Sequence, residues 1–308
     1  MRKRLSDQRG GALLLTLVFM TVLLAMAAFA IDVGAWFRAD RSLQATVDAA
    51  ALAGAQKLPG DPTAAKALAL EYSAKNGNPP DPTVLITSTD APNDTIVVEA
   101  TVTAEGFFSR VIDVDEVDVA AHAKAKLAKI AKARYAAPIV VSDEHPMLKC
   151  AKKNGAAACY GKTMTLTLTQ RYEDIPGAFA LVTLDGDKNV GSSTLADWLM
   201  HGYGGLLSVN RWYTSVPGAK FNDSPFQDGL NKIIEEDRDV LLPVYSTAEG
   251  QGSNGRYYIV GWVVMNIDSY ATQGNKSTIT GTFRGVTWTG EEGGEGENYG
   301  VSSIRLVE

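Results

Sequence analysis

The N-terminal part of the chain carries one uninterrupted apolar run. From Gly10 to Ile31 there is no charged residue, and nearly every position is Leu, Val, Ala, Met or Phe. A helix over this range rises about 33 Å at ~1.5 Å per residue, which is enough to cross a hydrocarbon core of roughly 30 Å. The pattern therefore predicts a transmembrane helix over residues 10–31.

The helical pattern continues beyond the apolar run. Alanine is frequent and proline is absent after Asp32, which predicts a helix extension over residues 32–58. A breaker cluster, Leu58-Pro59-Gly60-Asp61-Pro62, predicts where it ends. The alanine-rich stretch 49–55 fits an ordinary helix of high propensity and equally a face that another element approaches closely. Apolar or small residues recur at helical spacing at Val33, Trp36, Phe37, Leu43, Val47, Ala50, Ala51 and Gly54.

Residues 59–134 have the pattern of a small α+β unit. A short helix is predicted from Thr63 to Lys75, and a second one over Gly106–Ile112, which carries Phe107 and Phe108. The Lys/Ala-rich segment Lys124–Arg134 is predicted to be a linker or a helix end. Strand-like runs lie at 84–87, 95–104 and 117–125. Together they favour a three-stranded sheet packed against the long helix.

Residues 135–308 are predicted to form a β-rich domain. Glycine and polar turns separate strand-like runs at 139–142, 163–169, 179–184, 240–246, 257–268, 277–289 and 301–307. A helical insert is expected between the third and fourth runs, with capping boxes that start at Thr194 and Ser224. The expected fold class is therefore α+β: a long N-terminal transmembrane helix, the small unit, and this β-rich extracytoplasmic domain.

Charge sets the expected orientation of the chain. The tail over residues 1–9 is basic, with Arg2, Lys3, Arg4 and Arg9 against Asp7, whereas the whole chain carries −6. The positive-inside rule then predicts a single-pass protein of the plasma (inner) membrane, with a cytoplasmic N-terminus and everything after Asp32 outside. An acidic exterior argues against nucleic acid as a partner. The expected partner is the lipid bilayer, with Arg9, Trp36 and Phe37 as anchors at its interfaces.

Two other interpretations of the apolar run exist. Ala28-Phe29-Ala30 resembles a signal-peptidase site before Ile31, although the run is longer than a typical apolar signal region of ~7–15 residues. A buried core helix is the second alternative, and it leaves the basic flank unexplained. The pattern favours a retained anchor over a cleaved signal peptide.

The two cysteines, Cys150 and Cys159, lie on one short segment. Outside the membrane such a pair is expected to form a disulfide. Free thiols are one alternative. A metal pair is another, but His145 is its one nearby additional candidate ligand, and four ligands are usual.

Three motifs resemble catalytic or ligand sites. Gly250–Gly255 spells G-x-G-x-x-G, but a strand pattern follows it, which predicts a hairpin loop. Gly161-Lys162-Thr163 resembles the end of a phosphate-binding loop, but it also leads into a strand pattern. Asp185-Gly186-Asp187-Lys188-Asn189 alternates oxygen ligands as a calcium loop does, but Val190 and Ala196 stand where such a loop has a glycine and a bidentate acid. A polar turn is therefore favoured, and a weak calcium site is the alternative. We expect no catalytic residues, cofactor, metal or small-molecule substrate.

Four blocks occur in a characteristic order: Arg9-Gly10-Gly11-Ala12, Ala30-Ile31-Asp32-Val33-Gly34, Arg41-Ser42-Leu43-Gln44-Ala45 and Asp48-Ala49-Ala50-Ala51-Leu52-Ala53-Gly54-Ala55. This order resembles the N-terminal module of the TadG-like family of tight-adherence (Flp) pilus assembly. The resemblance implies a membrane-anchored, non-enzymatic component that assembles, anchors or presents the pilus. Its implied partners are other pilus-assembly or pilin proteins.

The alternatives are a minor pilin or pseudopilin, an exported enzyme, and a cell-envelope adhesin. A prepilin cleaved after Gly10 or Gly11 typically has glutamate at its fifth position, where this chain has Leu15 or Thr16. An unprocessed anchor is therefore favoured over a polymerising pilin.

Overall fold

A computed structural model describes residues 8–168, 178–250, 254–273 and 277–307. Its first element, α1, is a single helix of 48 residues, Gln8–Ala55. At ~1.5 Å per residue this helix is about 72 Å long. The predicted helix and its extension are confirmed, although α1 ends three residues before the predicted boundary and turns follow over residues 56–60.

The small unit follows α1 directly. Its elements are α2 (Pro62–Asn76), β1 (Thr83–Thr87), β2 (Thr95–Glu105) and β3 (Glu116–Ala133). Asp61 begins α2 because its carboxylate accepts a hydrogen bond from the Ala64 N–H at 2.9 Å. The three strands pair antiparallel in the order β1-β2-β3 and pack against α1, as the sequence predicts.

The rest of the chain contains mostly strands, with a few helices. Its elements are β4 (Ile139–Ser142), α3 (Pro146–Asn154), α4 (Ala156–Cys159), β5 (Thr163–Leu168), β6 (Ala178–Val182), α5 (Ser192–His201), β7 (Leu207–Ser208), β8 (Arg211–Val216), α6 (Ser224–Glu235), β9 (Asp239–Glu249), β10 (Arg256–Ala271), β11 (Thr278–Arg284), β12 (Val286–Thr287), β13 (Gly290–Glu292), β14 (Glu297–Asn298) and β15 (Val301–Val307). The helical insert is confirmed as α5 and α6, with β7 and β8 between them. The predicted capping boxes at Thr194 and Ser224 are wrong. The N-cap residues are Gly191, which has no side chain, and Asp223, whose side chain makes no capping hydrogen bond.

The strands of the β-rich region pair in a closed ring. Neighbours pair in the order β11-β5-β6-β4-β9-β10, and β10 pairs back onto β11. The ring encloses a core that includes Phe179, Tyr245, Tyr257 and Trp262, each at most 2 % exposed. A closed ring has few free strand edges, so this region can be stable without another protein along its sheet.

Strand β3 corrects one prediction. Lys124–Arg134 is not a linker or a helix end, because β3 continues to Ala133. Lysine and alanine favour helices, but here they alternate, so that Ala121, Ala123 and Ala125 are buried on one face. The final strand β15, which the sequence grouped with the β-rich domain, pairs antiparallel with residues 124–129 of β3. A partner on each side therefore overrides local helix propensity.

Small side chains bring α1 close to the sheet. Ala50, Ala51 and Ala55 have no exposed surface, and Gly54 lies among them. A Cβ added at Gly54 would lie 2.5 Å from Ile96 Cδ1 and 2.9 Å from the Ala65 carbonyl oxygen. The structure thus decides between the two interpretations of the alanine-rich stretch, in favour of a close packing face.

The loop between β1 and β2 is organised around one buried carboxylate. Asp94 is 3 % exposed and accepts hydrogen bonds from the backbone N–H groups of Thr89, Asp90 and Ala91 at 2.7 to 3.0 Å. Burial alone would raise the pKa of the Asp94 carboxyl. The three backbone N–H donors and the Thr89 hydroxyl outweigh burial and hold that pKa below its usual value.

We predict that Gly54→Ala destabilises the protein by about 1–3 kcal/mol, because the added methyl overpacks the helix–sheet contact. The cost of overpacking should exceed the ~1 kcal/mol by which alanine is favoured over glycine inside a helix, so the net effect is a loss of stability. The control is Gly34→Ala in the same helix, where an added Cβ has no atom within 4 Å. Denaturant unfolding of the full chain in detergent measures both variants. Equal stability of the two would contradict the packing argument.

Asp94 predicts a pH-dependent stability. Because its folded pKa lies below the unfolded value of about 3.9, it stabilises the fold above that pH and loses this contribution as the pH falls through the folded pKa. Asp94→Asn should therefore cost about 1–3 kcal/mol at pH 7 and progressively less towards pH 3. Urea unfolding at both pH values measures the difference, with the exposed Asp81→Asn as control. A cost that does not change with pH would refute the role of the charge.

Candidate functional site

The N-terminal half of α1 presents an apolar surface that no other part of the described chain covers. Among the described residues, one stretch is long and apolar enough to cross a membrane, and it lies in α1. Its most hydrophobic window is entirely unburied. The exposed large side chains run from Leu13 to Ile31. A continuous apolar surface of this size is unfavourable in water and matches the thickness of a bilayer.

Asp32 marks the point where this surface ends. It directly follows the apolar run, yet its side chain is only 1 % exposed. Oδ1 accepts a hydrogen bond from the Phe107 N–H at 3.0 Å, and Oδ2 accepts from Phe108 and Ser109 at 2.8 and 2.6 Å. One carboxylate therefore satisfies three consecutive backbone donors that lie about 75 residues later in the sequence. We call this contact the Asp32 clamp.

The three donors begin the tip of the β2–β3 hairpin, residues 106–115. The predicted short helix is confirmed here as a single 3₁₀ turn, Ser109–Ile112. The Ser109 hydroxyl donates to the Val114 carbonyl at 2.7 Å and closes the tip. A Cβ at Gly106 would lie 1.9 Å from Ser109 Oγ, so the tip requires glycine at that position. Four large apolar side chains point away from this framework and are exposed: Phe107, Phe108, Val111 and Ile112.

Two of the three predicted interface anchors, Trp36 and Phe37, lie one turn beyond Asp32 on α1. Trp36 is half-buried in a groove of ≈510 Å³ between α1 and residues 118–120 of β3, and its Nε1 has no partner among the described residues. Phe37 is 61 % exposed, with the Arg41 guanidinium 5.7 Å from its ring centroid. The side chain of Arg9 lies outside the described part. Their contact with a bilayer stays a prediction.

Cys150 and Cys159 lie on the neighbouring helices α3 and α4. Their Cα atoms are 5.8 Å apart and their sulfur atoms are at bonding distance. His145, the alternative metal ligand, is occupied elsewhere. Its Nδ1 accepts the Met147 N–H at 3.2 Å, its ring packs edge-on against Phe283, and burial lowers the pKa of its imidazole.

The loops that resemble ligand sites have local structural roles. Asp185 Oδ1 accepts from the Asp187 N–H and Asp187 Oδ1 from the Asn189 N–H, both at 2.9 Å, which are the bonds of a polar turn. Gly250–Gly255 joins the antiparallel strands β9 and β10, as predicted, although residues 251–253 lie outside the described part. Gly161-Lys162-Thr163 leads into β5, also as predicted.

The half-buried Tyr160 and the buried Tyr299 have raised pKa values. Burial is the main cause for both Tyr160 and Tyr299, and the Tyr160 hydroxyl donates to the Tyr299 carbonyl at 2.8 Å. These groups join α4 to the strand region and stay protonated at neutral pH. Within the four described ranges, no group of three or more His, Cys, Asp or Glu side chains could hold a metal ion.

Comparison with known families decides what the N-terminal part is. Residues 10–57 match the family model described as Flp pilus-assembly TadE/G-like. Over these residues the chain is similar to the TadE/G-like family. The resemblance of the four sequence blocks is confirmed, and the match covers the apolar half of α1, the Asp32 clamp residue and the packing face. No curated protein and no solved structure matches the chain.

The sequence did not reveal the clamp. Asp32 was visible as the first carboxylate after the apolar run, inside the block Ala30-Ile31-Asp32-Val33-Gly34. Its partners are backbone N–H groups, which every residue except proline carries, so no side-chain pattern marks them. The available signal was the charged residue itself, at a position where a helix leaves a membrane.

We predict that Asp32→Asn loosens the hairpin tip, because a neutral amide offers one oxygen and one NH₂ group to three N–H donors. Amide hydrogen exchange over residues 104–116 should accelerate at the three donor positions, while exchange in β9 and β10 stays unchanged. The matched control is Asp40→Asn, an exposed carboxylate two turns further along α1. If the amide hydrogens of the tip exchange equally slowly in both variants, the Asp32 clamp does not order the tip.

Proposed function

We propose that this protein is a membrane-anchored, non-enzymatic component of a bacterial tight-adherence (Flp) pilus system, where it assembles, anchors or presents the pilus. The observation that carries the proposal is the coincidence of the TadE/G-like match with the uncovered apolar half of α1. The family match points to the pilus system, and the exposed apolar surface points to a bilayer. Other pilus-assembly or pilin proteins are the proposed partners.

The proposed orientation has the N-terminus in the cytoplasm and residues 32–307 outside the plasma membrane. Its support is the basic tail before the apolar run. The length of the apolar run supports a retained anchor, since the 22 positions from Gly10 to Ile31 exceed a typical apolar signal region of ~7–15 residues. The proximity of Cys150 to Cys159 fits an oxidising exterior.

The proposed role is binding without turnover. Three of the shifted titratable groups have structural partners: Asp94 holds a loop, His145 begins a helix, and Tyr160 joins two elements. None of them needs a substrate to explain its position. The strand ring offers a stable platform for contacts with partners outside the membrane.

Deletion of the gene in its host tests the proposal. We expect fewer or no surface Flp pili by electron microscopy, because an assembly component would be missing. The full chain should restore them, whereas the variant Leu17→Lys/Leu24→Lys should not, since it places two charges within the apolar half. Leu85→Lys, an exposed leucine of β1, is the control and should restore piliation.

Cell fractionation distinguishes whether this protein is an assembly component or a pilin. The proposal expects the protein in the membrane fraction with an intact N-terminus by mass spectrometry, and not in sheared fibres. Recovery in the fibres with a new N-terminus at Gly11 or Ala12 would replace the proposal with a minor pilin. Normal piliation of the deletion strain, or rescue by the double-lysine variant, would overturn it.

A further inference from the structure

The hairpin tip presents an unusual surface for a protein outside a membrane. Phe107, Val111 and Ile112 are 75 %, 87 % and 69 % exposed, and Phe108 is half exposed beside them. Nothing in the described chain covers these side chains. Isolated exposed apolar residues are ordinary, but four within six positions of one rigid turn form a patch.

The position of the patch along α1 identifies what it faces. Gln44 on α1 donates a hydrogen bond to the His122 carbonyl of β3, and Asp32 holds Phe107 through Ser109. From Gln44 down to Asp32 the helix descends about 18 Å at ~1.5 Å per residue. Strand β3 descends about 20 Å from His122 to Glu116 at ~3.3 Å per residue. Helix and hairpin therefore run side by side, and the hairpin ends where the apolar half of α1 begins.

We infer that the hairpin tip inserts Phe107, Phe108, Val111 and Ile112 into the outer interface of the same bilayer that α1 crosses. The inference rests on the membrane anchoring in the proposed function. A lipid bilayer is favoured over a protein partner because the patch adjoins the apolar surface of α1. The Asp32 clamp holds the hairpin tip against the turn of α1 where this surface ends. Aromatic side chains are favoured at this depth of a membrane.

Charges at the tip set the depth of insertion. Asp113 and Asp115 are exposed within the tip, Glu105 and Glu116 are exposed on either side of it, and carboxylates stay in water. Arg110 is paired with Glu105 at 3.0 Å and lies on the tip itself. Insertion is therefore shallow, limited to the four apolar side chains. It gives the protein two attachment points, which fix the rotation and tilt that a single helix leaves free.

Lipid-borne quenching tests this inference in the full chain. An environment-sensitive NBD fluorophore is attached to single cysteines at Val111, Leu24 and Leu85 in nanodiscs, without reductant. The unsubstituted chain shows whether Cys150 or Cys159 reacts. Val111 is chosen because its exposed side chain can be replaced without disturbing the fold. Leu24 reports the span, and Leu85 is an exposed apolar side chain near the far end of the same sheet.

We expect a blue-shifted emission at Val111 that loses intensity when the nanodisc contains nitroxide-labelled lipids. Leu24 should respond in the same way, and Leu85 should show neither effect. A blue shift at Val111 without quenching means that a second copy or another protein covers the tip, which overturns the inference. A water-like signal at Val111 overturns it as well. In both cases quenching at Leu24 leaves the anchor intact, whereas its absence at Leu24 refutes the anchor itself.

Discussion

The carboxylate of Asp32 is the contact on which the lower part of this structure depends. It lies where α1 changes from a surface that no protein covers to one packed on a sheet. Its two oxygens hold three consecutive backbone N–H groups of the hairpin tip. Without it, these donors would have no partner in the contact between helix and hairpin, and unpaired buried donors are costly. The clamp thereby ties the end of the apolar run to the distant strands β2 and β3.

Close packing continues the contact between helix and hairpin along the C-terminal half of α1. The alanine-rich turns of α1 and Gly54 let Ile96 approach the helix axis, and β3 extends beyond that contact. One part of β3 pairs with β2 and another with β15 and β13. The same strand therefore belongs to the small unit and to the end of the chain. Strand β3 therefore joins the part packed on α1 to the strands at the end of the chain.

Much of this organisation could be predicted from sequence. The apolar run and the alanine periodicity predicted α1, because the periodic sequence pattern of a long helix is strong and local. Strand runs such as Ile139–Ser142 were also confirmed. The prediction for Lys124–Arg134 was wrong because its strand conformation depends on β15, which comes nearly 170 residues later. The clamp and the closed ring of strands are non-local in the same way, and backbone donors have no residue type to recognise.

We propose that one continuous helix passes from the bilayer into the packing face against the small unit, with the change at Asp32. Spin labels on single cysteines from Leu24 to Asp40, in nanodiscs, measure it through their accessibility to oxygen and to a water-soluble nickel complex. We predict oxygen access and nickel exclusion up to Ile31. Beyond it, nickel access should vary with helical periodicity, with the positions that face β3 protected. Nickel access throughout the apolar run, or no periodicity after Asp32, would contradict the account.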